Sequence, residues 1–331
     1  MKGRRAYMKK IGMCISSCDA YSDIWPIFFH FMKKYWSGIS YPIYLNTETK
    51  NYFDDIFNVI ALHELTPHST WSSRLIQALN RIEEEYVLLI LDDFFILSEV
   101  QEEEIDKCVV ALEQNKNIAC FHFCNMNPTE GTRIPVEFEK FKKRDPKWWY
   151  WVNFLPALWR KSALIKLLSP YENAWQAEFF GTIRAKLSKY NFYTLSDNEK
   201  PIINYNILLQ EGYGLCQGKW TVSTKELFEK EGLEVDMEKR GFCNPDNIST
   251  TVQFPKMLLR HRINYFIYGG IDEADVESTK GYYRIPIRIQ ISLMFCHPRT
   301  FMKIFRKKIN YLFGRYQGKT VDTASGRFLD Y

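Results

Sequence analysis

No uninterrupted apolar run reaches the length of about 18 residues that a membrane-spanning helix needs. A secretory leader is also missing: Met1 to Lys10 is basic, but the apolar run from Ile11 is broken by Ser16, Ser17 and Asp19. There is no Gly-rich phosphate loop, no serine-hydrolase elbow and no HExxH pair, which sets aside P-loop nucleotide hydrolases, α/β-hydrolases and HExxH metalloproteases. Internal repeats and low-complexity tracts are absent. The eight cysteines (14, 18, 108, 120, 124, 216, 243 and 296) follow no disulfide framework, and a chain of 331 residues needs no such staples. Reduced thiols in a cytoplasm are therefore expected. One absence is local: from Ser278 to Val321 there are ten Lys or Arg and no Asp or Glu. Subtracting that +10 from the net +5 leaves −5 for the rest, so the excess basicity sits in one C-terminal segment.

What is present is ordinary in bulk. An apolar content of 46% and a charged content of 25% describe a globular chain. Aromatics at 16% suit a large core, and they also suit a site where rings stack on sugars or bases. Periodicity predicts a strand at 11–16, a polar loop at 17–22 and an amphipathic helix to about Trp36. Strands at 41–48 and 57–64, a helix over "WSSRLIQALNRIEEEY" and a strand "YVLLIL" follow. This order builds a mostly parallel, three-layer α/β sheet, whose ligands bind at the carboxyl ends of the strands. A helix over 99–115, a strand at 118–126, an aromatic strand leading to a helix near Arg160, and a helix beginning close to Trp175 continue the chain. After Gly181 it becomes turn-rich. We expect one domain over 9–254 and a basic appendage over 255–331.

The strand "YVLLIL" ends in Asp92 and Asp93. A buried strand has no use for paired negative charge, because desolvating a carboxylate without a partner is costly. Hard cations such as Mg²⁺ or Mn²⁺ take carboxylate oxygens and share their sites with phosphates. The competing explanation is that one of the two acids caps the following turn.

"LDDFF" after "YVLLI", preceded by "WSSRLIQAL" and followed by "NAWQAE", resembles the bacterial polysaccharide-biosynthesis glycosyltransferases of the GT-A type, over roughly residues 9 to 220. The resemblance implies a GT-A-like, Rossmann-like fold and an acidic DxD-type motif. The chain departs from that motif, since Leu91 stands where its first Asp would fall. It implies that Ser16, Asp19 and Tyr21 lie against the nucleotide of a nucleoside-diphosphate sugar, and that Arg74 binds diphosphate. Asp93, with Asp92, would hold Mg²⁺ or Mn²⁺, Asp92 alternatively touching ribose or the donor sugar. Glu178 would be the base that deprotonates a glycan or lipid-linked acceptor in an inverting transfer, with Glu172 the alternative. Trp159 and Trp175 would wall the acceptor site. For Asp19 or Ser22 the bland reading is a helix N-cap, for Arg74 a solvated surface residue, and for either Trp core packing.

"CFHFC" puts Cys120, His122 and Cys124 on one face of a strand. Zinc sites draw their ligands from turns and need a fourth, so a buried strand face is the better explanation. His261 has no motif around it that would make it a metal ligand. In the tail, Phe301, Met302, Phe305, Ile309, Leu312 and Phe313 recur at helical steps among Lys303, Arg306, Lys307, Lys308 and Arg315. Such a helix over 299–315 lies apolar face down on an anionic membrane, which predicts a peripheral protein at the inner face of the cell membrane. Docking on its own domain or on a second copy in a homodimer are the alternatives. Nucleic acid is not expected, because no recognition module accompanies the charge. Two other functions compete: a non-catalytic membrane-surface scaffold of a polysaccharide assembly complex, and a nucleotidyltransferase.

Overall fold

A computed structural model of the chain describes residues 10–124, 135–144, 150–170, 172–196, 199–206, 214–216, 218–243 and 251–253. Beyond these it describes 291, 294, 295, 298, 301, 302, 305, 306, 309, 312, 313, 320–322, 328 and 329. The chain divides into two compact units, Met1–Pro245 and Asp246–Tyr331. His261 lies outside the described residues.

The first unit is built on a nine-stranded sheet in the order β3-β2-β1-β4-β8-β5-β9-β7-β6. Its strands are β1 (Ile11–Ser16), β2 (Ile43–Thr47), β3 (Val59–His63), β4 (Tyr86–Leu91), β5 (Ile118–His122), β6 (Val136–Phe138), β7 (Phe141–Lys143), β8 (Ala157–Arg160) and β9 (Asn191–Leu195). β1 to β4 are mutually parallel. β8 runs antiparallel to both β4 and β5, and β7 antiparallel to β9, so the sheet is mostly parallel but mixed. Every residue of β1 is buried, as expected of a central strand covered on both faces.

Two helical layers cover the sheet. On one face, α1 (Trp25–Tyr35) and α3 (Glu102–Gln114) supply Phe28, Phe31, Ile105 and Leu112 to a core with Ile15, Ile90 and Phe121. On the other, α2 (Trp71–Arg81), α4 (Lys161–Leu167) and α5 (Ala174–Lys186) bring Leu75, Leu79, Leu164 and Ala177 against Cys14, Val87 and Trp159. The expected Rossmann-like α/β class, a mostly parallel sheet flanked by helices, is what the sheet and its two helical layers form.

Two regions differ from the sequence reading. Of the aromatic run before Arg160, the described residues 150–156 are irregular, and Ala157–Arg160 pairs as a strand. The stretch after Gly181 is less turn-rich than expected. It holds β9, a three-stranded sheet β10 (Leu215–Cys216), β11 (Lys219–Thr221) and β12 (Phe242–Cys243), and a helix α6 (Val222–Glu231) ended by left-handed Gly232. Strands of two or three residues are too short for an alternation to register.

In the second unit, β13 (Thr251–Gln253), β14 (Thr320–Asp322) and β15 (Phe328–Leu329) form an antiparallel sheet. The described residues of 301–312 are helical, with Phe301 stacked on Phe305 at a 5.7 Å ring separation. Met302 and Phe313 are exposed. Among the described residues, no helix is long and apolar enough to cross a membrane.

Candidate active site

From β1 the chain moves outward to β2 and then β3, and it returns to place β4 on the other side of β1. The sheet order therefore reverses between β1 and β4, and the carboxyl ends of those strands form the crevice where such sheets bind ligands. Ser16 is in register with Leu91, so the next residues, Ser17 and Asp92, meet across the crevice.

Asp92 is buried there, and its Oδ2 accepts a hydrogen bond from Ser17 Oγ. Trp25 Nε1, at the first turn of α1, donates to Ser17 Oγ at 2.7 Å and more distantly to Asp92 Oδ2 at 3.3 Å. Burial and the neighbouring Asp93 charge push Asp92 up to about 8, against the lowering effect of those donors. Asp93 is half-buried, and its Oδ1 is buried with no hydrogen-bond partner. Burial raises its carboxyl to about 7. Neither side chain caps a helix.

The backbone of Asp93 is clamped separately: its carbonyl accepts from Gly214 N at 2.9 Å and Leu215 N at 3.1 Å. A Cβ on residue 214 would sit 2.6 Å from Phe95 Cζ and 3.2 Å from Asp93 O. Only glycine lets the second strand cluster approach the acidic turn this closely.

The other expected nucleotide contacts surround this pair. Tyr21 lies in a short 3-10 turn (Asp19–Tyr21), and burial together with the Asp93 charge pushes its phenol up to about 12. The Arg240 guanidinium lies over the Tyr21 ring, 5.0 Å from its centre, and pairs with Asp23. Arg74, expected on bare statistics at the surface, is buried on α2 and forms an ion pair with Glu48, while its Nε has no hydrogen-bond partner. Burial lowers its pKa, while Cys18, Asp19 and Asp92 are close enough to oppose that shift. Ser16 is buried at the strand end.

Asp19 differs in kind. Its carboxylate accepts from Glu48 N (3.1 Å), Thr49 N (3.0 Å), Thr49 Oγ1 (2.6 Å) and Lys50 N (3.1 Å). Burial works to raise its pKa, but the Thr49 and Lys50 donors outweigh it and hold the group below the ordinary carboxylate range. Asp19 therefore fastens the loop after β2 onto the loop after β1, rather than capping α1.

Glu178 belongs to a second cluster. α5 begins with reciprocal hydrogen bonds, Gln176 N to Asn173 Oδ1 and Asn173 N to Gln176 Oε1, both 2.9 Å, which is a capping box. It fixes the start of α5 and puts Glu178 in the second turn, not the first. Glu178 Oε1 accepts from Phe154 N at 2.9 Å, and burial raises the carboxyl to about 7 against that single donor. The alternative base, Glu172, is buried in a two-point ion pair with Arg184 at 2.6 and 2.5 Å, and its backbone carbonyl accepts from Ser72 N. Both carboxylate oxygens of Glu172 are thus engaged by Arg184.

The two tryptophans separate. Trp175 is 64% exposed at the start of α5. Trp159 is wholly buried on β8, edge-on to His122 and Phe192, and it is core rather than a wall of the acceptor site. The aromatic density that suggested a wall is the packing of the α5-covered face. Cys120, His122 and Cys124 are likewise buried, and among the described residues no three His, Cys, Asp or Glu converge as metal ligands.

Ser17, Trp25, Glu48 and Arg240 were not singled out by sequence reasoning. Ser17 opens the predicted loop and Trp25 follows it in the predicted helix, so both were within reach of it. Arg240 meets Asp23 across 217 residues, a separation no local pattern reports.

Fold and site together define a Rossmann-like α/β protein with a carboxylate pair at its topological switch point. No family model and no curated protein matches the chain. Among solved structures it is similar to S. aureus TarS, with 11% identity, a TM-score of 0.42 and 96% of this chain covered. The chain spans 60% of the length of that protein and 99% of its form 1-349, solved in complex with UDP-GlcNAc at a TM-score of 0.41. It is also similar to the mannosyltransferase PcManGT from Pyrobaculum calidifontis, solved with GDP-Man and Mn²⁺. There the identity is 10%, the TM-score is 0.37, and the match covers 56% of this chain and 54% of that one.

Proposed function

We propose that the chain is a nucleotide-sugar-dependent glycosyltransferase that moves a sugar from a nucleoside diphosphate to a glycan or lipid-linked acceptor of a surface polysaccharide, with inversion. The observation that carries the reading is the buried, unpartnered Oδ1 of Asp93 at the β1/β4 switch point, beside a second carboxylate. A buried carboxylate oxygen without a donor is costly unless something positive meets it. Mg²⁺ and Mn²⁺ are commonly held by one or two carboxylates with phosphates supplying the remainder, so the residues present fit such an ion. Asp93 is the ligand, and Asp92, held by Ser17 and Trp25, faces ribose or completes the site. When bound, the ion neutralises the charge developing on the departing nucleotide.

The chain's own residues do the rest. Arg74, buried near Asp92, pairs with diphosphate. Tyr21 stacks on the base while Arg240 holds its other face, and Ser16 and the loop that Asp19 fastens line the ribose. Glu178, with its proton affinity raised to about 7 by burial, takes the acceptor hydroxyl proton as that oxygen attacks the anomeric carbon. Trp175 offers the acceptor an exposed ring. In the second unit, the basic segment 299–315 rests on the anionic inner face of the membrane, where a lipid-linked acceptor would be met. A homodimer through the same helix is the competing use of its exposed Met302 and Phe313.

A second reading has one observation in its favour. Asp92 is already engaged by Ser17 and Trp25, and no third acid joins the pair among the described residues, as in a scaffold whose nucleotide site has decayed. Thermal-shift titration of the full chain against UDP-, GDP-, CMP- and dTDP-sugars, with and without Mn²⁺, separates the two. A catalytic site gives a Mn²⁺-dependent rise of melting temperature for one nucleotide class, since ligands that bind only the native state stabilise it. A flat response across the panel would leave the scaffold.

A further inference from the structure

The face of the sheet covered by α5 holds a second group of uncompensated atoms, of the opposite charge. His122 is in register with Thr194, and Thr194 with Lys142, so these side chains share one face. Arg144, two residues beyond Lys142, lies on the same face, and its N–H donates to Phe192 O. Four buried side-chain atoms here have no hydrogen-bond partner: Arg144 Nε, Arg144 Nη2, His122 Nδ1 and Thr194 Oγ1. All three residues are more than nine-tenths buried. The Arg144 charge reaches both the Cys120 thiol and the His122 ring. Among the described residues no carboxylate pairs with Arg144, although a buried guanidinium without a counter-charge costs several kcal/mol.

The tautomer of His122 says more. Its Nε2 lies 3.1 Å from the Trp151 carbonyl and 3.2 Å from Cys120 Sγ; the carbonyl can only accept, so Nε2 carries the proton, shared with the sulfur, and Nδ1 presents a lone pair. The group that satisfies this cluster must accept from Arg144 and also donate to His122. We infer that Arg144, His122 and Thr194 form a binding site for a phosphate group that carries a P–OH, between β5, β7 and β9 and separate from the carboxylate crevice. The P–OH donates to His122 Nδ1, two other phosphate oxygens accept from Arg144 Nε and Nη2, and Thr194 Oγ1 donates to the third. Sulfate has the charge but no hydroxyl, so it matches Arg144 and fails His122.

Differential scanning fluorimetry of the full chain, with inorganic phosphate titrated at constant ionic strength against chloride, tests this. A saturable rise of roughly 5 °C is expected at high occupancy, with sulfate giving a clearly smaller rise. Arg144→Met should abolish the phosphate response. Should that variant fail to fold, Thr194→Val, which keeps side-chain volume, should weaken apparent phosphate affinity on the order of fivefold. Glycerol 3-phosphate, in a parallel arm, distinguishes the source. A response equal to that of phosphate marks a site open to a phosphorylated substituent, and a response to inorganic phosphate alone marks a resident ion. Phosphate acting no better than chloride, or acting equally on wild type and Thr194→Val, would overturn the inference. Sulfate matching phosphate would overturn the role of His122 and with it the choice of ligand.

Discussion

The two halves of the large sheet are covered alike but furnished differently. In the parallel half, β3-β2-β1-β4, Asp93 Oδ1 is a buried acidic oxygen without a hydrogen-bond partner at the carboxyl edge, beside Asp92 and its donors Ser17 and Trp25. In the mixed half, β8-β5-β9-β7, the orphaned atoms belong to a buried cation and an imidazole on one face. On the readings proposed above, the first place takes a cation and the second an anion. Glu178 sits between these conditions: its carboxyl is raised, and it accepts from the Phe154 N–H in the cluster that shapes the loop before β8.

The sharpest way to break the comparison is at the acidic edge. Asp93→Asn keeps the volume and removes the charge, and turnover should fall roughly a thousandfold, about 4 kcal/mol, while the fold persists by circular dichroism. Unchanged turnover would put the cation elsewhere. Glu178→Gln should lower kcat on the order of a hundredfold with donor affinity intact. In the wild type the rate should climb as pH rises through about 7, because the base works only when deprotonated, and the variant should lose that limb.

Gly214→Ala comes next. Its methyl would press on Phe95 and on the Asp93 carbonyl, so a loss of about 1–3 kcal/mol in denaturant unfolding is expected, together with weaker cation binding. A neutral result would mean the acidic turn yields freely. The smallest effect is in pH. Asp92 and Asp93 are raised in the folded state above an unfolded value of about 3.9, so the native chain binds more protons than the unfolded one. The stability they contribute is full below about pH 4 and is lost as pH rises through about 7 to 8. Chelator-treated wild type should therefore melt lower near pH 8.5 than near pH 6, and Asp93→Asn should show a shallower slope. Identical slopes would mean the two acids are already compensated.

Most of the parallel half was legible in the sequence. β1, α1 and β4 fall within a residue or two of their predicted spans, and α3 starts three residues after its predicted start at Glu99, since fully buried strands and amphipathic helices of about eleven residues carry strong periodic signals. The acidic pair was legible for the same reason, as charge where burial forbids it. The mixed half was not: β6 to β8 and β10 to β12 are two to four residues long, and their pairing is set by contacts distant in sequence. Trp159 illustrates the limit, because nothing local separates a tryptophan that walls a pocket from one wholly buried in a sheet. Asp19 illustrates another, since a loop carboxylate looks alike whether it meets a ribose or three consecutive residues of a neighbouring loop.

The central claim is that Asp93 at the switch point grips a cation that in turn holds a diphosphate. Mn²⁺ binding measured by electron paramagnetic resonance, in the presence of the nucleoside diphosphate that the thermal-shift panel selects, tests it most directly. Wild type should take up one Mn²⁺ per chain in a nucleotide-dependent, saturable manner, and Asp93→Asn should bind it at least about tenfold more weakly, a loss of about 1.4 kcal/mol. Equal Mn²⁺ uptake by the two proteins, or uptake indifferent to nucleotide, would contradict it.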